Sequence, residues 1–461
     1  MPGSSLSRRT LMQTALAAGA GLAVPGSTLA QATTKSTTTT TTTAAAAPPA
    51  PRKASPDKPG MAVIGAGGIA RWHGQFLPKH VNVVAVADVD RGRAEAYAKD
   101  FGVIGALATQ DYRAALERKG VDVVLITTPD HWHAKQLIDS VRAGKDVYCE
   151  KPLTLTIDEG RVVCQAVRES GRIVQVGSQQ RSQSRFHIPV GLVHAGRLGK
   201  VKRAVVVLGP TPYPKDATFE TKPPPPELDW DGWLGPAPQV DYMKERCHFH
   251  WRWWYEYAGG MTADWGAHHV DIAQWAIAPD LAGPTLIEPV SVKYPVPFDD
   301  KGYPTAQDRF NTPSEFTVKL SFANGVEMIV TDKSPDVPEE NGILIEGESG
   351  DLFVSRGKLR GKAVDAWTDD PLPPGTVPNF PRHKIPHERH MANFLDCCRD
   401  RSTPLSDVWT HHRNLTSCHL ANIAIRLNRR IRWDATAQQI VGDSEANALQ
   451  IRAPRKGFEL I

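Results

Sequence analysis

The chain has 461 residues, 41% of them apolar and 23% charged, which is enough material for more than one buried core. Its formal net charge is +4, and Arg8 and Arg9 supply two of those charges, so the body is nearly neutral and offers nothing to nucleic acid. The six cysteines form no C-x-x-C pair or regular spacing, which argues against a disulfide framework or a thiolate metal site.

Residues 1–32 read as an export signal. Ser7-Arg8-Arg9-Thr10-Leu11-Met12 leads into an uncharged stretch from Leu11 to Val24, and Ala30-Gln31-Ala32 is a small-x-small cleavage site. The paired arginines match the twin-arginine route, which carries folded proteins. Residues 33–59, with threonine unbroken from Thr37 to Thr43, bury too little apolar surface to fold and form a tether. No later segment approaches the run of roughly eighteen apolar residues that a membrane helix needs, so no membrane insertion of the mature chain is expected.

From Met61 the runs MAVIG, VNVVAVAD, VDVVLITT, DVYCE and RIVQVG alternate with amphipathic segments. This is the grammar of an α/β fold with a doubly wound parallel sheet, assigned to residues 60–182. Beyond it come a strand VKRAVVVLG, a proline-rich loop from Pro210 to Pro238 and a helix near Thr262 to Ala276. SEFTVKLSF and VEMIVTDK flank Asn324-Gly325, and ILIEG and DLFVS flank Glu348-Ser349-Gly350, so two hairpins and an antiparallel sheet are predicted. Helices over Glu388 to Arg399 and Val408 to Leu427 follow. Residues 183–432 thus form a second, α+β domain, and 433–461 an irregular tail.

Gly65-Ala66-Gly67-Gly68-Ile69-Ala70 matches G-x-G-x-x-A directly after the first strand and before a helix. There the first glycine permits a tight turn, the second admits a pyrophosphate to the backbone, and the helix N-terminus receives the phosphates. Asp88, ending the second strand, is placed to accept hydrogen bonds from the adenosine ribose and to repel a 2′-phosphate, which favours NAD. Arg91 leaves NADP open. Thr127-Thr128-Pro129 and Glu150-Lys151-Pro152 both end strands at the carboxyl edge, where ligands bind, and Pro152 aims the Lys151 ammonium by restricting its backbone. His131 and His133 would point to different faces of a helix, so a shared metal is not expected, and His133 is either a polar residue of a helix start or a cofactor contact. His248 and His250 share one side of an extended segment but lack a third ligand, so no metal site is assigned.

The stretch CHFHWRWWYEYAGGMTADWGAHHVDIAQW, from Cys247 to Trp275, combines aromatics, histidines and acids. Asp264 and His268 lie four apart, on one helical face that Asp271 and Trp275 continue. A carboxylate steadying an imidazole suits a general base that takes a hydroxyl proton, although an Asp–His pair can also simply tie a helix down. Trp251, Trp253, Trp254, Tyr255 and Tyr257 form either core or flat apolar walls with polar tips for a sugar-sized ligand, and by count some of them are core.

GAGGIA, TPDHWH, AGKDVYCEKPL and GGMTADWGAHHVD, in this order, resemble the Gfo/Idh/MocA oxidoreductases from Met61 to about Arg432. That resemblance implies catalytic roles for Lys151, Asp264 and His268. It further implies cofactor contacts at Gly65, Gly67, Gly68, Ile69, Asp88, Thr128, Pro129, His133, Glu150 and Lys151, with Arg181 and Trp233 near the nicotinamide. Substrate contacts are expected from Lys151, Trp251, Arg252, Tyr255, Asp264 and His268. An open-faced antiparallel sheet that makes a homo-oligomer, dimer or tetramer, is implied as well. The expected activity is hydride transfer between NAD and a hydroxyl of a sugar, glycoside or polyol, with the cofactor acquired before export and held tightly. Two rival readings share the fold: a glycoside hydrolase using NAD transiently through a keto sugar, and a non-catalytic nucleotide-binding sensor.

Overall fold

The β-branched runs after Met61 become strands buried on both faces, as a sheet covered by helices on each side requires. The computed structural model describes residues 58–103, 105–278, 283–367 and 386–460; the export signal and nearly all of the tether lie outside the described residues. The first sheet is parallel, in the order β3-β2-β1-β4-β5-β6, with β1 Gly60–Ile64, β2 Asn82–Ala87, β3 Leu107–Thr109, β4 Val123–Ile126, β5 Asp146–Cys149 and β6 Val174–Val176. β3 escaped the sequence reading because a three-residue edge strand carries no apolar run. Strand order reverses between β1 and β4, so the loops after those strands diverge and open a crevice at the carboxyl edge.

The second sheet has nine strands in the order β13-β12-β11-β7-β10-β9-β8-β14-β15. Its members are β7 Val201–Val207, β8 Leu286–Lys293, β9 Glu315–Ser321, β10 Glu327–Thr331, β11 Gly342–Gly347, β12 Gly350–Val354, β13 Leu359–Arg360, β14 Ile431–Asp434 and β15 Gln439–Ile440. Both predicted hairpins are present, β9–β10 around Asn324-Gly325 and β11–β12 across Glu348-Ser349. The sheet is antiparallel except where β7 inserts between the hairpins and runs parallel to β10. Along β9, Phe316, Val318 and Leu320 are buried while Glu315, Thr317, Lys319 and Ser321 are only half-buried, so one face packs and the other stays open.

Helices join the two halves. Val408–Leu427 is buried over most of its length and packs against helix Ile157–Ser170 and β6 on one side and helix Gly266–Ile277 and β8 on the other. Gly266–Ile277 also meets the segment that follows β6, where Ser178 Oγ donates to the Ala267 carbonyl at 3.1 Å. Helix Pro386–Asp400, late in the chain, returns to the first sheet, where Met391, Phe394, Leu395 and Cys398 close a core with Met61, Val63, Val86 and Tyr148. The tail is less irregular than its composition indicates: after β15 it forms helix Ser444–Ala448, then lays Phe458 edge-on to Trp132 at 5.5 Å and Arg455 on Asp231 at 2.6 Å. All six cysteines are buried free thiols. Among the described residues no helix is long and apolar enough to cross a membrane.

Candidate active site

The crevice is lined first by the glycine loop. Gly65 has φ +88°, and a Cβ there would stand 2.8 Å from the backbone of Thr127 and Thr128, so only glycine lets the β1 and β4 loops meet. Helix Gly68–Gly74 starts without a side-chain cap, and the space where a Gly68 Cβ would project holds nothing within 4 Å. Ile69 is half-buried behind it. Uncapped amides, an open approach and a helix dipole fit a dinucleotide pyrophosphate.

Asp88 braces this loop: its Oδ2 accepts from Ala66 N at 2.7 Å and its Oδ1 from Asp90 N at 2.9 Å. Burial raises its pKa, against the pull of those amides and of Arg93. Arg93, paired with Asp90 at 3.4 Å, reaches within 3.7 Å of a Gly67 Cβ position, whereas Arg91 is exposed and donates its backbone N–H to the Glu227 carbonyl. The basic residue beside the glycine loop is therefore Arg93, two residues on from Arg91.

The second wall is the β4 loop. Thr128 Oγ1 donates to Gln136 Oε1 at 2.7 Å, and Pro129 starts helix Asp130–Arg142. The His133 ring nitrogens lie 2.6 Å and 2.9 Å from the Pro152 and Thr128 carbonyl oxygens, so this imidazole ties the β4 and β5 loops together, and burial lowers its pKa. His131 donates to the Trp233 carbonyl at 2.9 Å and rests 5.0 Å from the Trp233 ring, its pKa pushed down by burial to about 3. Trp233 lies in the short helix Trp230–Leu234, stacked on Trp230 at 4.8 Å. Glu150 is buried at the end of β5. Burial alone would raise its carboxyl, but His73 Nε2 at 2.9 Å and Lys151 hold it below the usual range.

Lys151 crosses to the second domain. Its Nζ donates to the Asp264 carboxylate at 2.5 Å and to the Asp264 carbonyl at 3.1 Å. Burial would raise the Asp264 pKa, yet Lys151, then Arg252 and Arg356, keep it below the ordinary value. Helix Gly260–Asp264 stops at Trp265 and a second helix, Gly266–Ile277, begins, so the four-residue spacing does not run through one helix. Among the described residues the ion pairs of Asp264 go to Lys151 and to Arg252 Nε, at 3.8 Å, rather than to His268 as the spacing suggests. His268 is buried next door, edge-on to the Trp265 ring at 6.0 Å. Arg252 lies over Trp251 at 4.5 Å and Phe249 at 4.8 Å.

Two expected site residues go elsewhere. Arg181 forms a two-toothed ion pair with Asp271, 2.7 Å on each side, deep in the interface with Val408–Leu427, instead of facing the crevice. Tyr255 turns its hydroxyl to Asn422 at 3.2 Å and lines a separate cavity of about 630 Å³ with Glu256, Gly259 and Arg452, which none of Lys151, Asp264 and His268 lines. Trp253, Trp254 and Tyr257 are core. The sequence reading missed Asp130, buried among Lys151, Asp264 and Arg252, where burial pushes its carboxyl well above the usual range. It also missed Arg356, on the β12–β13 hairpin, whose guanidinium covers the Trp265 ring at 4.5 Å. A carboxylate at a helix start and an arginine in a surface hairpin carry no local mark of a site.

Comparison with known proteins agrees with this fold. Residues 60–178 match an oxidoreductase family model with an NAD-binding Rossmann fold, and residues 213–460 match the C-terminal alpha/beta domain of the same family. The scyllo-inositol 2-dehydrogenase (NAD(+)) of Bacillus subtilis (strain 168) is 25% identical over 352 residues, 75% of this chain and 87% of that protein. An inositol 2-dehydrogenase of Salmonella paratyphi B is 34% identical over 142 residues, 30% of this chain and 42% of the relative. Two solved structures share the fold, each with a TM-score of 0.60. The WlbA dehydrogenase of Chromobacterium violaceum, in complex with NADH and UDP-GlcNAcA, is 20% identical and covers 83% of this chain and 98% of its own. The aldose-aldose oxidoreductase of Caulobacter crescentus, complexed with glycerol, is 19% identical and covers 81% and 99%. The chain belongs to the Gfo/Idh/MocA family of NAD-binding oxidoreductases.

Proposed function

We propose that this protein is an exported dehydrogenase that oxidises or reduces a hydroxyl of a sugar, glycoside or polyol and keeps its NAD tightly bound. The observation that carries this reading is the Lys151–Asp264 clamp, which joins the carboxyl edge of the nucleotide-binding sheet to the second domain at 2.5 Å. When bound, NAD supplies a nicotinamide ring that accepts or returns a hydride. The glycine loop from Gly65 to Gly68, with Asp88, Thr128 and Glu150 around it, holds the nucleotide. Lys151 Nζ has three N–H groups, of which two go to Asp264; the third donates to the reacting substrate oxygen and stabilises its developing negative charge. Asp264, kept ionised by its cations, fixes the direction of that third N–H. His268, shielded from bulk water beside Trp265, takes the hydroxyl proton and gives it back in the reverse direction.

The named activities of the inositol 2-dehydrogenase relatives favour a polyol or sugar. Export by the twin-arginine route fits a protein that takes up a cytosolic nucleotide before it leaves, and the open face of the second sheet suits a dimer or tetramer. The test is to purify the protein from the extracytoplasmic fraction, measure releasable nucleotide after dialysis, and score inositols, sugars and glycosides for a keto product. We expect bound NAD and at least one keto product. A dialysed protein with neither would overturn the reading, and release of aglycone without a keto product would make it a hydrolase.

A further inference from the structure

The charges around Asp264 do not balance. Lys151 is hydrogen-bonded to it, Arg252 Nε stands 3.8 Å away, and Arg356 lies near enough to help hold its carboxyl ionised. Asp130, a further acid of the cluster, is buried and held toward its neutral form. Lys151, Arg252 and Arg356 thus face Asp264, with Glu150 beside Lys151 as the second ionised carboxylate, so positive charge still exceeds negative in the cleft. Such an excess is costly where water is partly displaced, unless a ligand supplies the missing negative charge.

Both arginines are held as a recognition site holds them. Arg252 is flattened on Trp251 and Phe249 and anchored by NH1 donating to the Phe249 carbonyl at 3.0 Å. Arg356 is stacked on Trp265, and Gln180, its amide turned so that its nitrogen donates to the His268 carbonyl at 3.1 Å, accepts from Arg356 Nε at 3.1 Å. Each guanidinium is therefore oriented by its back and by Nε or one terminal nitrogen. Among the described residues Arg356 makes no ion pair with a carboxylate, and it is exposed. Trp265 also carries the edge-on contact to His268, so Arg356 and His268 share one indole.

We propose that Arg356 and Arg252 form an anion-recognition subsite, so that the natural substrate is an acidic sugar or polyol, bearing a carboxylate or a phosphate, rather than a neutral one. This rests on the dehydrogenase reading of the Lys151 site and narrows its substrate class. The arginines bind and orient; they take no part in the proton or hydride steps. Bidentate guanidinium–oxyanion geometry gives such a subsite its selectivity, and lysine keeps the charge while losing the fork.

The test titrates the full-length, NAD-loaded protein by calorimetry with glucose, glucuronate and glucose 6-phosphate, and with the matching galactose series. In at least one series the acid or the phosphate ester should bind about tenfold or more tighter than its neutral parent, a preference that weakens with salt. Preference for the uronate alone identifies a carboxylate, and for the ester alone a phosphate. Arg356→Gln should cut the acid-to-neutral ratio about fivefold or more, and Arg356→Lys should restore part of it. Equal affinities in both series, no binding by any of the six, or an unchanged ratio in Arg356→Gln would overturn the proposal. Keto-product formation is scored on the same samples. Acid preference without a keto product leaves the subsite standing and removes the dehydrogenase reading, whereas a keto product without acid preference does the reverse.

Discussion

Replacing Asp271 by asparagine separates a structural from a cofactor role for Arg181. The carboxylate receives Arg181 Nε and NH2 at 2.7 Å each, Asn414 Nδ2 at 2.9 Å and Ser178 Oγ at 3.2 Å, and the two charged side chains are 4% and 1% exposed. Asparagine keeps the shape and removes the charge, leaving the buried guanidinium without its hydrogen-bonded carboxylate, which costs about 3–5 kcal/mol. With a urea dependence of about 3 kcal/mol/M, the unfolding midpoint falls by about 1 M or more. The pH dependence has a definite sign. Burial would raise the Asp271 carboxyl, but Arg181 holds its folded-state pKa below the unfolded value, so the pair stabilises fully above that unfolded value and loses its effect as pH falls through the folded one. The gap between wild type and variant should accordingly be constant near neutrality and close below about pH 4. Arg181→Met with Asp271→Leu should recover much of the loss, because no charge is then buried. A loss under about 1 kcal/mol in Asp271→Asn, or bound nucleotide lost at unchanged stability, would refute the structural role and return Arg181 to the cofactor.

Two further outcomes follow from the cradle. A Cβ at Gly177 would stand 2.7–2.9 Å from the Glu150 carboxyl group, so Gly177→Ala should push Glu150 off His73 and lower the nucleotide retained after dialysis; full retention would show that Glu150 does not shape the site. With Asp88 on the glycine loop and Arg93 beside Gly67, apoprotein should bind NAD in preference to NADP by fluorescence titration. Asp88→Asn should weaken NAD binding about tenfold, and Arg93→Ala should weaken NADP more than NAD; equal effects of Arg93→Ala on both would remove it from the glycine loop.

Local patterns carried the fold well. The β1 turn could be read because Gly65 and Asp88 act within one crossover, and the β9–β10 hairpin because Asn324-Gly325 is a turn in itself. What the sequence hid depends on distant partners. Nothing near Val201–Val207 says that it will insert between two hairpins, and nothing in Pro386–Asp400 says that it will return to cover the first sheet. In the site, Lys151 and Asp264 were legible as types at strand and helix ends, yet which groups pair was decided across the domains. Lys151 takes the carboxylate that spacing offered to His268, and Asp271, on the same periodic stripe, goes to Arg181. Arg356 was invisible for the same reason, since its partners Trp265 and Gln180 come from other elements.

The central claim is that Lys151, clamped on Asp264, serves hydride transfer at the edge of the nucleotide-binding sheet. It is tested most directly by following absorbance of the bound nicotinamide in a single turnover with an acidic sugar that yields a keto product. In Lys151→Met the nucleotide should stay bound while its reduction slows about 10²–10³-fold, as the loss of one oriented donor to a developing oxyanion predicts. Reduction at the wild-type rate in Lys151→Met would contradict the account.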